Sequence, residues 1–313
     1  MKYVESIRQA LTELLQTDSR VYLLGEDILD PYGGAFGAVK GLSTQFPDRI
    51  ITTPISEGGI VGIGTGMAMR GLRPIVEIMF GDFLTLAADQ LINSASKFSW
   101  MYNRQVSVPL LVRVPMGGYR GYGPTHSQTL ESIFLNIPGI SIYAPSNYHN
   151  PGQLLTDIMG HIDNPTIWVE NKSLYPVELE KAIIDESGTA LVQLVNGKSD
   201  ITIIAYGGMA DIAVQAAKEL LLRDEIVVSV ISPSCIKPLP KLVCLTDKVL
   251  ILEETSPFWG WGAEVGYVLE KNHIKTRRLG ALPTPIPASR EEEKHTLPQV
   301  EDVIREVRFL FND

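Results

Sequence analysis

The sequence is poor in the groups that would tie it to several common protein classes. It carries two cysteines, Cys235 and Cys244, in 313 residues, too few for a disulfide framework and without the paired spacing of a zinc site. A reduced, cytoplasmic compartment is the expectation. Positive charge is also scarce: 27 Lys and Arg stand against 36 Asp and Glu, a formal net charge of −9, and no stretch concentrates basic residues. With no phosphate-tracking stripe, nucleic acid is not expected as a partner. No apolar run reaches the roughly 18 residues that read as a membrane-crossing helix, and Met1-Lys2-Tyr3-Val4-Glu5 has no apolar signal core. No membrane is expected as a partner, and export is not expected. The motifs G-x-S-x-G and H-E-x-x-H are both missing, so serine hydrolase and zinc protease chemistry have no support.

What is present is core-forming material: 45% of residues are hydrophobic, and the length predicts two domains. Val4, Ile7, Leu11, Leu14 and Leu15 recur at helical spacing, and the apolar run Val21-Tyr22-Leu23-Leu24 stops at Gly25. The alternation continues with strand over 74–80, helix over 84–98, strand over 109–114, helix over 153–159 and strand over 166–169. A polar, weakly patterned stretch over 179–197 interrupts it. A second series follows, with strands over 201–205, 226–231 and 249–252 and helices over 209–222, 263–269 and about 299–310. Strands alternating with helices predict a parallel α/β sheet in each half, hence an α/β fold of two consecutive domains, 1–180 and 190–313. The Pro-rich segment 282–287 should lie across the surface before the last helix.

Several segments are candidates for chemistry. The cluster Gly58-Gly59-Ile60-Val61-Gly62-Ile63-Gly64-Thr65-Gly66 is neither G-x-G-x-x-G nor a P-loop, so it reads as a helix whose Gly62 and Gly66 face admits another helix closely. Glu57, just before it, taken alone is a dipole-compensating carboxylate. Gly25-Glu26-Asp27 either caps the next segment or binds a cation, and capping is the simpler reading. The glycine- and aromatic-bearing loop over 115–128 follows a buried strand, where α/β sheets place ligand contacts, and it holds His126. From spacing alone His126 is as readily a turn histidine as a functional one. His149, His161, His273 and His295 have no acidic partner at ligand spacing and are expected to be exposed. Asn171-Lys172-Ser173 matches a glycosylation triplet, which without an export signal carries no weight.

Taken together, Gly25-Glu26-Asp27, Gly33-Gly34-Ala35-Phe36, Thr53-Pro54-Ile55-Ser56-Glu57, Glu77-Ile78-Met79-Phe80-Gly81-Asp82-Phe83, Asp89-Gln90-Leu91-Ile92-Asn93 and His126-Ser127-Gln128 resemble one family. The chain resembles, nearly end to end, the beta subunit of thiamine-diphosphate-dependent 2-oxo acid dehydrogenases of the pyruvate, branched-chain or acetoin type. The resemblance implies a pyrimidine-binding domain followed by a transketolase C-terminal-like domain. In that family the glutamate closing T-P-I-x-E bonds N1′ of the cofactor pyrimidine and promotes loss of the thiazolium proton, a role that falls on Glu57. Met79 and Phe83 fall on the family's apolar and aromatic contacts to the pyrimidine, and His126 on its active-site loop histidine. The reaction implied is decarboxylation of a 2-oxo acid with acyl transfer to a lipoyl acyltransferase.

The family's superfamily binds cofactor diphosphate through Mg²⁺ held by Gly-Asp-Gly, and this chain has none; its Gly81-Asp82 runs into Phe83. No metal ligand is therefore expected here, and the resemblance implies that an alpha subunit supplies the Mg²⁺ site in a heterotetramer of two alpha and two beta chains. Two positions depart from the family pattern: Tyr102-Asn103-Arg104 stands for its frequent Ser-Gly-Gly, and Ile162 for an acidic residue, so the substrate channel and a monovalent-cation site do not carry over. The alternative is a split transketolase-like or biosynthetic thiamine-diphosphate enzyme that transfers a ketol or acyl unit without a lipoyl carrier.

Overall fold

The computed structural model describes every residue from Met1 to Asp313. Its strands are β1 (Val21–Gly25), β2 (Ile50–Thr52), β3 (Arg73–Glu77), β4 (Leu111–Met116), β5 (Ser141–Tyr143), β6 (Thr166–Asn171), β7 (Ile183–Ile184), β8 (Thr189–Gln193), β9 (Ile201–Ala205), β10 (Val228–Pro233), β11 (Cys235–Lys237), β12 (Lys248–Leu252) and β13 (Lys275–Leu279). They form two sheets, in the orders β11-β5-β6-β4-β3-β1-β2 and β13-β12-β9-β10-β8-β7. Pairing is parallel through the middle of both, and the antiparallel strands lie toward the edges. Every residue of β4, β6 and β9 is buried, as it must be for strands covered by helices on both faces.

The helices do that covering. Tyr3–Thr17 and Pro151–His161 pack against each other at Gly152, where a Cβ would stand 2.3 Å from the Ser6 carbonyl oxygen. Met209–Asp224 and the closing helix Val300–Asn312 lie together on the second sheet, the latter burying Val303, Ile304, Val307 and Leu310 at helical spacing. The largest core cluster takes Val112 and Val114 from the first sheet and Ile204, Ile231 and Ile251 from the second. The two sheets therefore share apolar packing, and β11, from the second half of the chain, completes the first sheet.

Several expectations need correction. The polar stretch 179–197, which shows no strand pattern in sequence, holds the hairpin β7–β8, whose turn is stapled by Asp185 accepting from the Ser187 and Thr189 amides. The strand expected over 74–80 leaves the sheet at Glu77, and the one over 226–231 begins two residues later, after Glu225 turns at φ +56°. The helix expected over 84–98 is 3₁₀ over Gly81–Ala87, wide π turns over Gln90–Ala95 and α over Ser96–Met101; such interruptions recur at functional sites. A short helix, Arg290–Thr296, follows the Pro-rich segment. His149 is buried, not exposed: the Ser146 amide donates to its Nδ1 at 3.0 Å, and burial pushes the imidazole down to about 4. It sits where Ser146 meets Ser232 of β10, a contact no linear spacing reveals.

The glycine helix spans Glu57–Met69 as expected, and within this chain its closest approach is made by a glycine other than Gly62 and Gly66. A Cβ on Gly66 would meet nothing, and one on Gly62 would meet only the end of Gln90. Gly64 is the constrained position, where a Cβ would come 2.9 Å from Val76 Cγ2 and 3.0 Å from Leu110 Cδ1. Gly64→Ala should accordingly destabilise the chain by ~1–3 kcal/mol through overpacking. Gly66→Ala should be neutral or stabilise it by up to ~1 kcal/mol through helix propensity. Urea unfolding of the two variants checks this; equal effects would remove the assignment of tight packing to Gly64.

Candidate active site

All parallel strands of the first sheet end on one edge, and the segments leaving β1, β2, β3, β4 and β6 there carry the candidate residues. This is where open α/β sheets place ligands, because the strands stop and the connections diverge. Beneath this edge a buried ion cluster aligns three strands. Arg113 of β4 donates through one NH group to Glu77 Oε2 of β3 at 2.6 Å, and through Nε and its other NH group to Glu170 of β6 at 2.8 and 2.9 Å. Tyr175 Oη also donates to Glu170, at 2.7 Å. Burial works against the Arg113 charge, and the two carboxylates more than offset it, so its pKa is raised. Gly34 must lack a side chain here, since at φ +79° its Cβ would stand 2.5 Å from a Glu77 oxygen.

Glu57 opens the glycine helix and is 5% exposed, yet no hydrogen bond from the chain reaches its carboxylate. Beside it Glu26, from the end of β1, is also buried with Oε1 unpartnered. Burial and the Glu57 charge raise the Glu26 carboxyl. The two carboxyl groups, one of them with a buried oxygen that no donor reaches, are a costly arrangement for a chain on its own. They fit a ligand that presents N–H groups.

The structure brings His126 and Phe83 together, with ring centroids 5.2 Å apart in edge contact, and adds Phe80 at 4.8 Å from the imidazole. Phe36 and Tyr122 extend this aromatic wall, with Phe80 5.5 Å from Phe36 and 6.1 Å from Tyr122. Met79, half-buried, leaves β3 directly before Phe80. Thr125 Oγ1 lies 3.0 Å from His126 Nδ1. Glu57 lies with Glu26, which follows β1, the strand next to β3.

Sequence reasoning missed the groups that hold the His126 loop. Glu254, two residues past β12, accepts from the Gly118 amide at 2.6 Å, Asn171 Nδ2 at 2.6 Å and Thr129 Oγ1 at 3.2 Å. Glu293 accepts from the Gly121 amide at 2.9 Å, and the Pro298 carbonyl accepts from Tyr119 Oη at 2.7 Å. Lys172, fully buried just after β6, donates to the His126 carbonyl oxygen. One signal was available: Glu253-Glu254 and Asn171-Lys172 both follow apolar strand runs, at the edge where ligand-side groups gather. Further along the junction, Tyr206 Oη donates to Glu131, with Glu253 close by, and each carboxyl leaves one oxygen unpartnered.

Comparison with known proteins decides the family. The transketolase pyrimidine-binding domain matches residues 1–178, and the transketolase C-terminal domain matches residues 190–303. Pyruvate dehydrogenase E1 component subunit beta-1 of rice is 35% identical, covering 96% of this chain and 84% of the relative. The chain belongs to the beta subunits of thiamine-diphosphate-dependent 2-oxo acid dehydrogenases. Within this family, the 2-oxoisovalerate dehydrogenase subunit beta of Bacillus subtilis is 35% identical over 87% of this chain and 85% of the relative. The pyruvate dehydrogenase E1 beta subunit of Rickettsia felis is 32% identical over 97% and 96%. A solved inactive beta4 tetramer of a split-gene transketolase shares the fold, with a TM-score of 0.77 at 22% identity, covering 100% of this chain and 98% of that one. The beta-subunit family implies thiamine diphosphate as cofactor and an alpha subunit as partner, and no helix is long and apolar enough to cross a membrane.

Around Glu131 and Glu253 the stability of this chain should depend on pH. Burial pushes Glu131 up to about 7 and Glu253 up to about 8. Raised carboxyls keep their protons in the folded chain after the unfolded chain has lost them. The stability they permit is therefore full in acid and declines as pH rises from about 4.5 toward 7–8. Glu131→Gln, which keeps an acceptor for Tyr206, should gain on the parent between pH 5 and pH 8 by on the order of 1–3 kcal/mol. Unfolding at the two pH values checks this; an equal difference at both would show that Glu131 does not titrate in this range.

Proposed function

We propose that this chain is the beta subunit of a 2-oxo acid dehydrogenase that carries the pyrimidine side of the cofactor site and works only with an alpha subunit, as two alpha and two beta chains. Family membership and the names of its relatives support that class. Bound thiamine diphosphate supplies the electron sink for decarboxylating a 2-oxo acid. What the chain's own residues contribute is binding, orientation and one proton position. The observation that carries the reading is Glu57, a buried carboxylate without a donor at the start of the glycine helix. It would hold the proton at the pyrimidine N1′, while Met79 and Phe83 would flank the ring.

His126, on the wall with Phe80 and Phe83, would meet the substrate or the acyl acceptor, which we read as the lipoyl arm of an acyltransferase. The diphosphate and its Mg²⁺ are assigned to the alpha subunit: this chain has no Gly-Asp-Gly, and Asp82 of Gly81-Asp82 already accepts from Gln128 Nε2 at 2.7 Å. The alternative of ketol transfer rests on likeness to the split-gene transketolase, which is a likeness of fold alone. Free Cys235 and Cys244, with burial pushing both thiols up to about 11, suit a reducing compartment.

Glu57→Gln keeps size and hydrogen bonding but cannot hold the proton. Assembled with the alpha subunit and assayed for 2-oxo acid decarboxylation with an artificial electron acceptor, it should lose roughly 10²–10⁴ in turnover while folding normally. Activity within about threefold of the parent is too small for proton transfer and would sink the reading. His126→Ala in the same assay should bind cofactor as the parent does and turn over roughly 10²-fold more slowly; equal losses in cofactor affinity and rate would make the histidine structural.

A further inference from the structure

Lys172 is the one fully buried lysine, and neither the proposed chemistry nor the sequence motifs account for it. Its Nζ donates to the His126 carbonyl oxygen and stands 5.0 Å from the centre of the Phe80 ring and 5.6 Å from that of Tyr122. One ammonium thus joins three separate pieces: the end of β6, the segment after β3 and the loop after β4. A desolvated cation over aromatic faces holds them more strongly than an exposed one. The charged groups facing it come from two of these pieces and from two further elements. Glu254 after β12, Asp82 after β3 and Glu293 of the helix Arg290–Thr296 favour its charge, while Arg120 of the loop opposes it.

We propose that Lys172 is the positioning residue of the His126 loop: it holds the His126 carbonyl and seats Phe80 and Tyr122, and so sets where the imidazole meets substrate. This rests on the role given to His126 above. Burial lowers the amine to about 8, so the grip is intact at neutral pH and weakens as pH rises through that value.

The test uses the assembled alpha–beta complex with Lys172→Met and Lys172→Arg. In Lys172→Met, hydrogen exchange of loop amides 119–128 should rise about tenfold or more while β4 and β6 stay protected. Turnover should fall roughly 10- to 100-fold, as a misplaced group costs, with half-saturation by cofactor unchanged. Lys172→Arg should restore loop protection and extend it to higher pH, because the guanidinium stays charged. Loop exchange in Lys172→Met within about twofold of the parent overturns the proposal whatever the kinetics. If that variant fails to assemble, the parent complex decides: loop exchange, corrected for its intrinsic pH dependence, rises from pH 7 to pH 9 as the ammonium is lost, and a flat profile overturns the proposal. Full activity of His126→Ala would remove the role of His126 and leave the loop-exchange result on Lys172 standing.

Discussion

The Arg113 cluster is the interaction on which the rest of the site depends. Three neighbouring strands each contribute one member, Glu77 from β3, Arg113 from β4 and Glu170 from β6, and the guanidinium binds Glu170 with two nitrogens. Such a trio is not a cheap source of stability, since removing ions from water costs about as much as their attraction returns. Its value is alignment: a strand shifted along its neighbour would leave at least one buried charge alone, at a cost of ~3–5 kcal/mol. The aligned strand ends are the ones that carry Phe80 and Phe83, the His126 loop and Lys172.

The loop above that cluster belongs to both halves of the chain. Its amides at Gly118 and Gly121 donate to Glu254 and Glu293, carboxylates from the second half, and Tyr119 reaches the Pro298 carbonyl. Lys172 pulls the same loop toward the first sheet. A loop held from both sides keeps its geometry without relying on its own glycine-rich backbone, whose Gly117, Gly121 and Gly123 all have positive φ. The second half of the molecule therefore shapes the site directly.

The same crowding leaves carboxyl groups in need of partners. Glu26, Glu131, Glu253 and Glu293 each keep a buried oxygen with none. Glu26 keeps its deficit beside Glu57, at the strand-end edge of the first sheet. Around Glu131 and Glu253 it is met by raised carboxyl pKa values, which couple the junction to pH.

Local patterning was enough for much of this. The apolar run Thr166–Val169, the helical spacing of Val4 to Leu15 and the glycine helix opening at Glu57 are visible because strand and helix each impose a short period on the side chains they bury. The linked motifs around Glu57, Met79, Phe83 and His126 pointed to the family before any contact was known. Tertiary structure alone decided the rest. Asn171-Lys172-Ser173 read as a chance glycosylation triplet, and Lys172 became a loop anchor only when β6 set it beside Phe80 and Tyr122. His149 looked exposed and is buried against a strand more than eighty residues away. Gly64 and not Gly66 is the tight position, because β3 and the residue before β4 press on one side of the helix only. Sequence determined which segments bury a face, since that is a property of neighbours in the chain. Which buried charge meets which partner depends on how segments far apart in the chain are stacked, and no local period encodes that.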